Sequence, residues 1–264
     1  MTRLLSGAVL LALIGGAAWW APPPLLLVLA LLVAALAIVE YCTLTGHLGA
    51  PVPVVPASVA AAAICAAVAW PAAGVTPVIM ALVIGGGALA VGRGRTDPDA
   101  LARVAAGVFG PLYIGLPLGA LMGVRWEFGR EAALLLIIVV VASDSAQYYA
   151  GRAFGRHPLS PTLSPKKTVE GALGGLLAGA LTLALLGHWW WPAAPAALRF
   201  GLGALLVVLG ITGDLFESML KRAAGVKDSA ALIPGHGGVL DRIDALLFAA
   251  PVYYTMMRYL ARPA

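Results

Sequence analysis

Charged side chains are the scarcest component of this 264-residue chain. They make up 11% of the residues, against 61% that are hydrophobic, whereas soluble domains typically have about 25% charged and about 45–50% apolar residues. Residues 1–92 contain only two charged side chains, Arg3 and Glu40. A soluble domain of that length could not cover its surface with so few charges. The composition therefore excludes a water-soluble globular protein and indicates an integral membrane protein.

Cysteine and histidine are also rare, and their placement gives no sign of a redox or zinc centre. The two cysteines, Cys42 and Cys65, lie inside apolar runs, and the four histidines are spread over the chain. Zinc sites and disulfide frameworks need such residues in clusters at set spacings. The cysteines are interpreted as small core residues.

The apolar runs are long enough to cross a bilayer, which takes about 20 helical residues. Backbone groups in lipid must find partners within their own segment, so each span must be a helix. The 54–70 run is the weakest, since it is short and carries Pro56. The first run resembles a signal peptide, but further apolar runs follow at once, which favours a membrane helix. We predict an all-α polytopic protein with about nine spans, near 4–20, 23–44, 54–70, 75–92, 101–122, 131–150, 171–190, 197–216 and 243–260.

The distribution of basic residues and tryptophans predicts the orientation of these spans. With the N-terminus in the cytoplasm, twelve Lys and Arg residues fall on the cytoplasmic side and five on the other, as the positive-inside rule requires. All seven tryptophans fall at the opposite face, as in an interfacial aromatic belt. We therefore expect a multi-pass protein of the cell inner (plasma) membrane whose polar site faces the cytoplasm. The net charge of +5 needs no nucleic-acid partner, because topology and anionic phosphate account for it.

Charge density divides the chain into two regions. Residues 144–170 carry six charges and residues 214–244 carry nine, together about half of the total. We predict that residues 1–100 form N-terminal transmembrane helices that act as a scaffold, a lipid-facing wall or a dimer contact. Residues 101–264 are predicted to form the catalytic region.

The segment from Asp214 to Arg222 continues the 197–216 run without a helix breaker. Helical spacing places Asp214, Ser218 and Lys221 on one face. A carboxylate at the end of a membrane helix is costly unless it is paired or binds a cation. A structural salt bridge from Asp214 to Lys221 or Arg222 is an equally open explanation.

The following stretch combines carboxylates, bases and a glycine-rich turn. Glycines around His236 let backbone N–H groups approach an anion closely, and the next helix adds its N-terminal partial charge. Asp241 and Asp244 share a helix face, and Mg²⁺ is usually held by one or two carboxylates plus substrate phosphates and water. The combination favours phosphoryl or nucleotidyl transfer, although His236 alone could be a turn or packing residue.

A second polar segment precedes this one. Apart from Glu131 at its first position, Asp144 is the sole charge in the 131–150 run, and a charge within a span indicates function by default. Thr168 is placed to cap the following helix, and Lys166 and Lys167 suit phosphate oxygens; an ordinary basic juxtamembrane loop is the alternative. The Pro- and Gly-rich stretches Pro158–Pro165 and Pro234–Gly238 are predicted to be loops.

The pattern from Ser218 to Asp244 closely resembles the signature of the phosphatidate cytidylyltransferases, or CDP-diacylglycerol synthases. It reads Ser218-x-x-Lys221-Arg222-x4-Lys227-Asp228-x5-Pro234-x-His236-Gly237-Gly238-x-x-Asp241-Arg242-x-Asp244. The Ser-Asp…Tyr…Gly segment at 143–151 and Ser-Pro-Lys-Lys-Thr at 164–168 resemble that family's other hallmarks, in the same order. The resemblance covers roughly residues 100–260, and the first hundred residues match only in hydropathy. Ser145-Ala146-Gln147 is a small departure that touches no charged position.

The resemblance implies that CTP and phosphatidate react to give CDP-diacylglycerol and pyrophosphate. It also implies Mg²⁺, with a second, monovalent cation such as K⁺, and often a homodimer in the lipid bilayer. Asp214 and Asp241 match the carboxylates expected to hold the metal ions. The other catalytic candidates are Ser218, Lys221, Arg222, Lys227, Asp228, His236, Arg242 and Asp244. The substrate-binding candidates are Asp144, Ser164, Lys166, Lys167, Thr168, Gly237 and Gly238.

Two further functions remain as alternatives. Another CTP-dependent membrane enzyme, such as a polyprenol kinase or an ether-lipid cytidylyltransferase, would use similar charge clusters. An ion-coupled transporter would instead place charges near the bilayer midplane and show internal repeats, whereas here the charges cluster at predicted helix ends.

Overall fold

Helices account for most of the part of the chain that the structure describes. The computed structural model describes residues 15–70, 72, 74–92, 98–229 and 237–260. Residues 15–20 are helical, and eight further helices and one hairpin follow. They are α1 (Pro23–His47), α2 (Val54–Ala69), α3 (Thr76–Gly92), α4 (Ala100–Glu127), α5 (Gly129–Phe154), β1 (Pro158–Ser160), β2 (Ser164–Thr168), α6 (Val169–Trp190), α7 (Ala196–Ala223) and α8 (Leu240–Leu260).

The helices have the length and apolar composition of membrane spans. α1, α4, α5, α6 and α7 are each long and apolar enough to cross a bilayer, and α2 and α3 are shorter apolar helices. Large apolar side chains are widely exposed, for example Val91 at 82% and Leu101 at 79%, an arrangement that suits lipid and not water. The all-α membrane class is confirmed, whereas the count of nine spans stays a prediction.

Several helices run past the apolar segments that predicted them. α4 ends at Glu127 and not near residue 122, and α7 ends at Ala223 and not near residue 216. Hydropathy marks only the part of a helix that suits hydrocarbon, and the helix continues while its backbone bonds can form. The predicted continuation of α7 through Asp214, Ser218 and Lys221 is therefore confirmed.

One predicted loop is wrong in part. Pro158–Ser160 forms a strand antiparallel to Ser164–Thr168, with Pro158 opposite Thr168 and Ser160 opposite Ser164. The pairing is so short, and so rich in proline and serine, that its sequence lacks the alternation that usually marks a strand.

The described residues divide into two compact units. The first unit contains the described residues of Ala21–Gly123 and Leu220–Arg242. In it α4 packs against α1 and α2. A Cβ at Gly115 would lie 2.6 Å from the carbonyl oxygen of Ala61, and Tyr41 Oη donates a hydrogen bond to the carbonyl oxygen of Ala106 at 2.9 Å.

The second unit contains Val124–Met219 and the described residues of Leu11–Trp20 and Ile243–Ala264. α5 and α6 form its main pair, and α7 packs on α6. A Cβ at Gly203 would lie 2.8 Å from Cα of Ala180, so the two backbones nearly touch. Buried Arg199 donates to the carbonyl oxygen of Gly187 at 2.6 Å, which ties the start of α7 to the end of α6.

Candidate active site

Three helices bring acidic side chains together in the second unit. Asp144 lies on α5, Asp214 on α7 and Asp244 on α8. Their charges act on one another and on that of Lys167, and Lys167 Nζ donates to Asp214 Oδ2. We call these four residues the Asp214 cluster. Since three of the four are acids and one is a base, the cluster favours a cation.

Close contact between two helices places Asp214 beside Asp244. A Cβ at Gly213 would lie 2.4 Å from the carbonyl oxygen of Asp244 and 2.9 Å from Cδ2 of Phe248. Only glycine lets the two backbones approach this closely. The glycine before Asp214 therefore sets the distance between two of the candidate site carboxylates.

Glycines on α6 hold α5 in a similar way. A Cβ at Gly171 would lie 2.7 Å from the carbonyl oxygen of Gln147, and a Cβ at Gly175 would lie 3.0 Å from that of Ser143. Small residues four apart let membrane helices pack backbone to backbone. Asp144 is thereby held next to the start of α6, where Gln147 Nε2 donates to Asp144 Oδ1 at 3.1 Å.

The β1–β2 hairpin supplies the base of this cluster. Neighbouring side chains on a strand point to opposite faces, so Lys167 reaches Asp214 while Lys166 is exposed. Thr168 caps α6, because its Oγ1 accepts a hydrogen bond from Gly171 N at 3.1 Å, and the predicted cap is confirmed. The hairpin is anchored by Glu170 Oε2, which accepts from Arg156 N at 3.0 Å.

A second polar group lies in the first unit, around Asp241. Lys221 Nζ donates to Asp241 Oδ1, and the two side chains are only 11% and 12% exposed. Asp241 Oδ2 accepts from Gly238 N at 2.8 Å and from Ser229 N at 3.3 Å. The left-handed backbone of Gly237, with φ of 74°, permits this turn. We call Lys221, Ser229, Gly238 and Asp241, together with Glu40, the Asp241 cluster.

These contacts resolve one open alternative. In place of the salt bridge from Asp214 to Lys221 or Arg222 that the sequence left open, the structure has the Lys167–Asp214 and Lys221–Asp241 pairs. Of the predicted anion-binding glycine turn, Gly237 and Gly238 lie within the described residues, where Gly238 N donates to the carboxylate of Asp241; Pro234, Gly235 and His236 lie outside them. Whether these glycines also bind substrate stays a prediction.

Glu40 is the member that the sequence motifs did not identify. It lies on α1, is 1% exposed, and accepts hydrogen bonds from Ser229 Oγ, Val239 N and Leu240 N. The available signal was its position as the sole acidic residue of the first 92, since a charge inside an apolar run is a functional hypothesis by default.

The other predicted site residues are half-buried, exposed or outside the described residues. Arg222 Nη1 donates to the carbonyl oxygen of Val226 at 3.3 Å. Ser164 and Ser218 are half-buried, and His236 lies outside the described residues. The exposed ones are Lys166, Arg222, Lys227, Asp228 and Arg242.

The donor set fits a hard divalent cation that also binds substrate. Within the described ranges, no three His, Cys, Asp or Glu side chains come together as a metal site made by protein alone. Mg²⁺ seldom needs one, since it commonly takes one or two carboxylates plus phosphate and water oxygens. The acidic excess of the Asp214 cluster is consistent with that mode.

The sequence of the chain matches a known protein family over almost its whole length. The sequence profile described as the cytidylyltransferase family matches residues 1–260. The match therefore also covers the first hundred residues, including Glu40, which the motifs did not reach.

Curated relatives share this assignment by name. Proteins named phosphatidate cytidylyltransferase are 42% identical over 162 residues in Synechocystis sp. (58% of this chain and 54% of the relative), and 45% identical over 117 residues in Aquifex aeolicus (44% and 42%). One from Thermotoga maritima is 38% identical over 170 residues (62% and 63%). The chain thus spans about half the length of the curated relatives that it matches.

Proposed function

The chain belongs to the cytidylyltransferase family, and from that premise we propose that it is a phosphatidate cytidylyltransferase. It would convert CTP and phosphatidate into CDP-diacylglycerol and pyrophosphate. The observation that carries the proposal is the family match over residues 1–260, together with relatives of that name at about 40% identity. The apolar helices and the polar clusters that they carry support a lipid substrate that is handled within a membrane.

The proposed reaction needs charge neutralisation more than proton transfer. The nucleophile is a phosphate monoester, whose second pKa of about 6 leaves it ionised at neutral pH. One of its oxygens attacks the α-phosphorus of CTP, and the bond from that phosphorus to the bridging β-phosphate oxygen breaks, which releases pyrophosphate. Two anions must meet, so positioning and electrostatic stabilisation supply most of the catalysis.

We propose different tasks for the acidic and the basic side chains of the site. Asp214 and Asp241 are the carboxylates that we propose to hold the metal ions, which the resemblance implies to be Mg²⁺ and a monovalent cation such as K⁺. When bound, the divalent ion would neutralise charge on the phosphates of CTP. Lys167 and Lys221 donate to these carboxylates and orient them. The exposed bases are suited to bind the phosphates of CTP and phosphatidate: Lys166, Arg222, Lys227 and Arg242.

We also propose where the enzyme works. The relatives from bacteria and the five helices able to cross a bilayer support a place in the cell inner membrane. The excess of Lys and Arg on one predicted side supports a site that faces the cytoplasm, where CTP is available. We propose a homodimer on the family resemblance alone.

The test follows the label from CTP into lipid. Purified protein in mixed micelles with phosphatidate, Mg²⁺ and CTP labelled at the α-phosphate should transfer label into the organic phase as CDP-diacylglycerol. Label at the γ-phosphate should stay in the aqueous phase as pyrophosphate. A polyprenol kinase would show the opposite pattern with polyprenol, so γ-label in the lipid would refute the proposal. Glu131→Gln, which changes a partly exposed carboxylate on α5 outside both clusters, is the matched control for substitutions of site acids.

A further inference from the structure

A buried carboxylate from the N-terminal helices holds the start of α8. Glu40 lies in an apolar run of α1, and its side chain is almost fully inaccessible at 1% exposure. Burying an ionisable group in such a place is costly unless hydrogen bonds replace the lost water. The hydrogen bonds of Glu40 therefore identify the groups that it stabilises.

The two oxygens of Glu40 cap α8 from a distance of about two hundred residues in sequence. Oε1 accepts from Val239 N at 2.7 Å, and Oε2 accepts from Leu240 N at 2.9 Å. α8 begins at Leu240, so this is one of the first N–H groups of the helix, which have no partner within it. Capping is usually supplied by a nearby residue in sequence. An anion at this place is also favoured by the helix dipole.

Ser229 links this cap to Asp241. Ser229 Oγ lies 2.8 Å from Glu40 Oε2 and 3.0 Å from Asp241 Oδ2. A hydroxyl carries a single proton, so it donates to one carboxylate at a time. Ser229 N and Gly238 N also donate to Asp241 Oδ2. The same short backbone segments thus contact Glu40 on one side and Asp241 on the other.

Gly238 packs tightly against the side chains of Ser229 and Glu40. A Cβ at Gly238 would lie 2.0 Å from Ser229 Oγ and 2.3 Å from Glu40 Oε2. Only glycine fits between these two side chains, so the position of the Glu40 carboxylate and the path of the 237–240 backbone determine each other.

We propose that Glu40 is a positioning residue for the cytidylyl transfer, which acts through Ser229 and the start of α8 to fix the carboxylate of Asp241. This inference rests on the proposed function and on the metal-binding role proposed there for Asp241. The N-terminal helices accordingly contribute to the active region and do more than support it.

The first test measures the proposed cap in the Glu40→Gln variant. Glutamine keeps the shape but offers one acceptor oxygen for two N–H groups, so one of Val239 N and Leu240 N loses its partner. Hydrogen exchange of a peptide covering residues 237–245 should become about tenfold faster at these amides. This measurement needs no catalysis. Unchanged exchange would overturn the proposed cap.

Kinetics then separate positioning from general stability. In Glu40→Gln we expect the Mg²⁺ concentration for half-maximal rate to rise about tenfold or more, as is typical when a partner of a metal ligand is lost, while KM for phosphatidate stays within about twofold. Ile38→Ala, on the same helix and fully buried, should lower the thermal midpoint without changing the Mg²⁺ requirement. An equal change in both variants would show that Glu40 serves stability alone and would overturn the inference.

A double-mutant comparison completes the test. If Glu40 acts through Ser229, Glu40→Gln and Ser229→Ala together should raise the Mg²⁺ requirement no further than the more severe single variant, since residues in one network are not additive. If the increases in the Mg²⁺ requirement of the two single variants multiply in the double variant, the proposed link between Glu40 and Ser229 is refuted. If Glu40→Gln does not fold, Ser229→Ala is used in its place to test the positioning role. A wild-type protein that forms no CDP-diacylglycerol would refute the proposed function, whereas an active wild type with an unaltered Glu40→Gln would refute the positioning role alone.

Discussion

Gly213 offers a graded test of how closely α7 must approach α8. In Gly213→Ala the new Cβ would lie 2.4 Å from the carbonyl oxygen of Asp244, where ordinary contact begins at 3.4 Å. The neighbouring atoms belong to a backbone and an aromatic ring, so they cannot simply rotate away. The helices must part by about 1 Å, which costs about 1–3 kcal/mol as overpacking. Asp214, the next residue, would move away from Asp244.

The expected effect on activity is larger than the effect on folding. A displacement of about 1 Å at a catalytic group can cost about 100-fold in rate, so we expect kcat/KM for CTP to fall by about that factor. The assay is transfer of α-labelled cytidylyl groups into lipid, with the thermal midpoint measured in the same detergent.

Two glycines on the same helix provide matched controls. A Cβ at Gly210 would meet Ala245 Cβ at 3.5 Å, and at Gly201 nothing lies within 4 Å. Gly210→Ala should therefore be tolerated, and Gly201→Ala should stabilise α7 by about 0.5–1 kcal/mol. If Gly213→Ala keeps wild-type turnover, or if all three variants lose the same activity, the argument from helix contact is refuted.

Three further predictions concern the side chains around the clusters. Lys167→Met removes the base that contacts Asp214 and should lower kcat/KM at least tenfold, whereas Lys166→Met, on the opposite face of the strand, should cost less; steady-state assays of the pair decide this, and equal losses would contradict it. Asp214→Asn and Asp241→Asn should each abolish label transfer while the protein still inserts and keeps its helical circular dichroism, and near-normal turnover in either would refute that residue's metal role. Thr168→Val removes the cap of α6 and should cost about 0.5–2 kcal/mol, seen as a lower thermal midpoint that Thr168→Ser restores; an unchanged midpoint in the valine variant would contradict the cap.

The fold was largely predictable because length and hydropathy determine where membrane helices form. The helix ends were less predictable, since α4 continues to Glu127, past the apolar run that ends near residue 122. The hairpin was missed for another reason. Pro158–Ser160 is too short for a strand pattern, and its pairing with Ser164–Thr168 depends on how the chain turns between them.

The candidate site was predictable where its residues are close in sequence. The motif from Ser218 to Asp244 contains Asp241 and Lys221, which the structure pairs. The contacts of Glu40 were not predictable, because its partners lie about two hundred residues later and no spacing rule links them. The pairing of Lys167 with Asp214 depended likewise on the packing of α5, α6 and α7. The role predicted for His236 stays a prediction.

The cap that Glu40 provides has a consequence for dividing the polypeptide into fragments. A C-terminal piece that starts near residue 100 would contain every residue of the signature, yet it would lack the acceptor for Val239 N and Leu240 N. Such a piece should begin α8 with a frayed first turn. Co-expression of a second piece that carries α1 should restore that turn, so recovery of lipid labelling in split halves would report the docking of Glu40 directly.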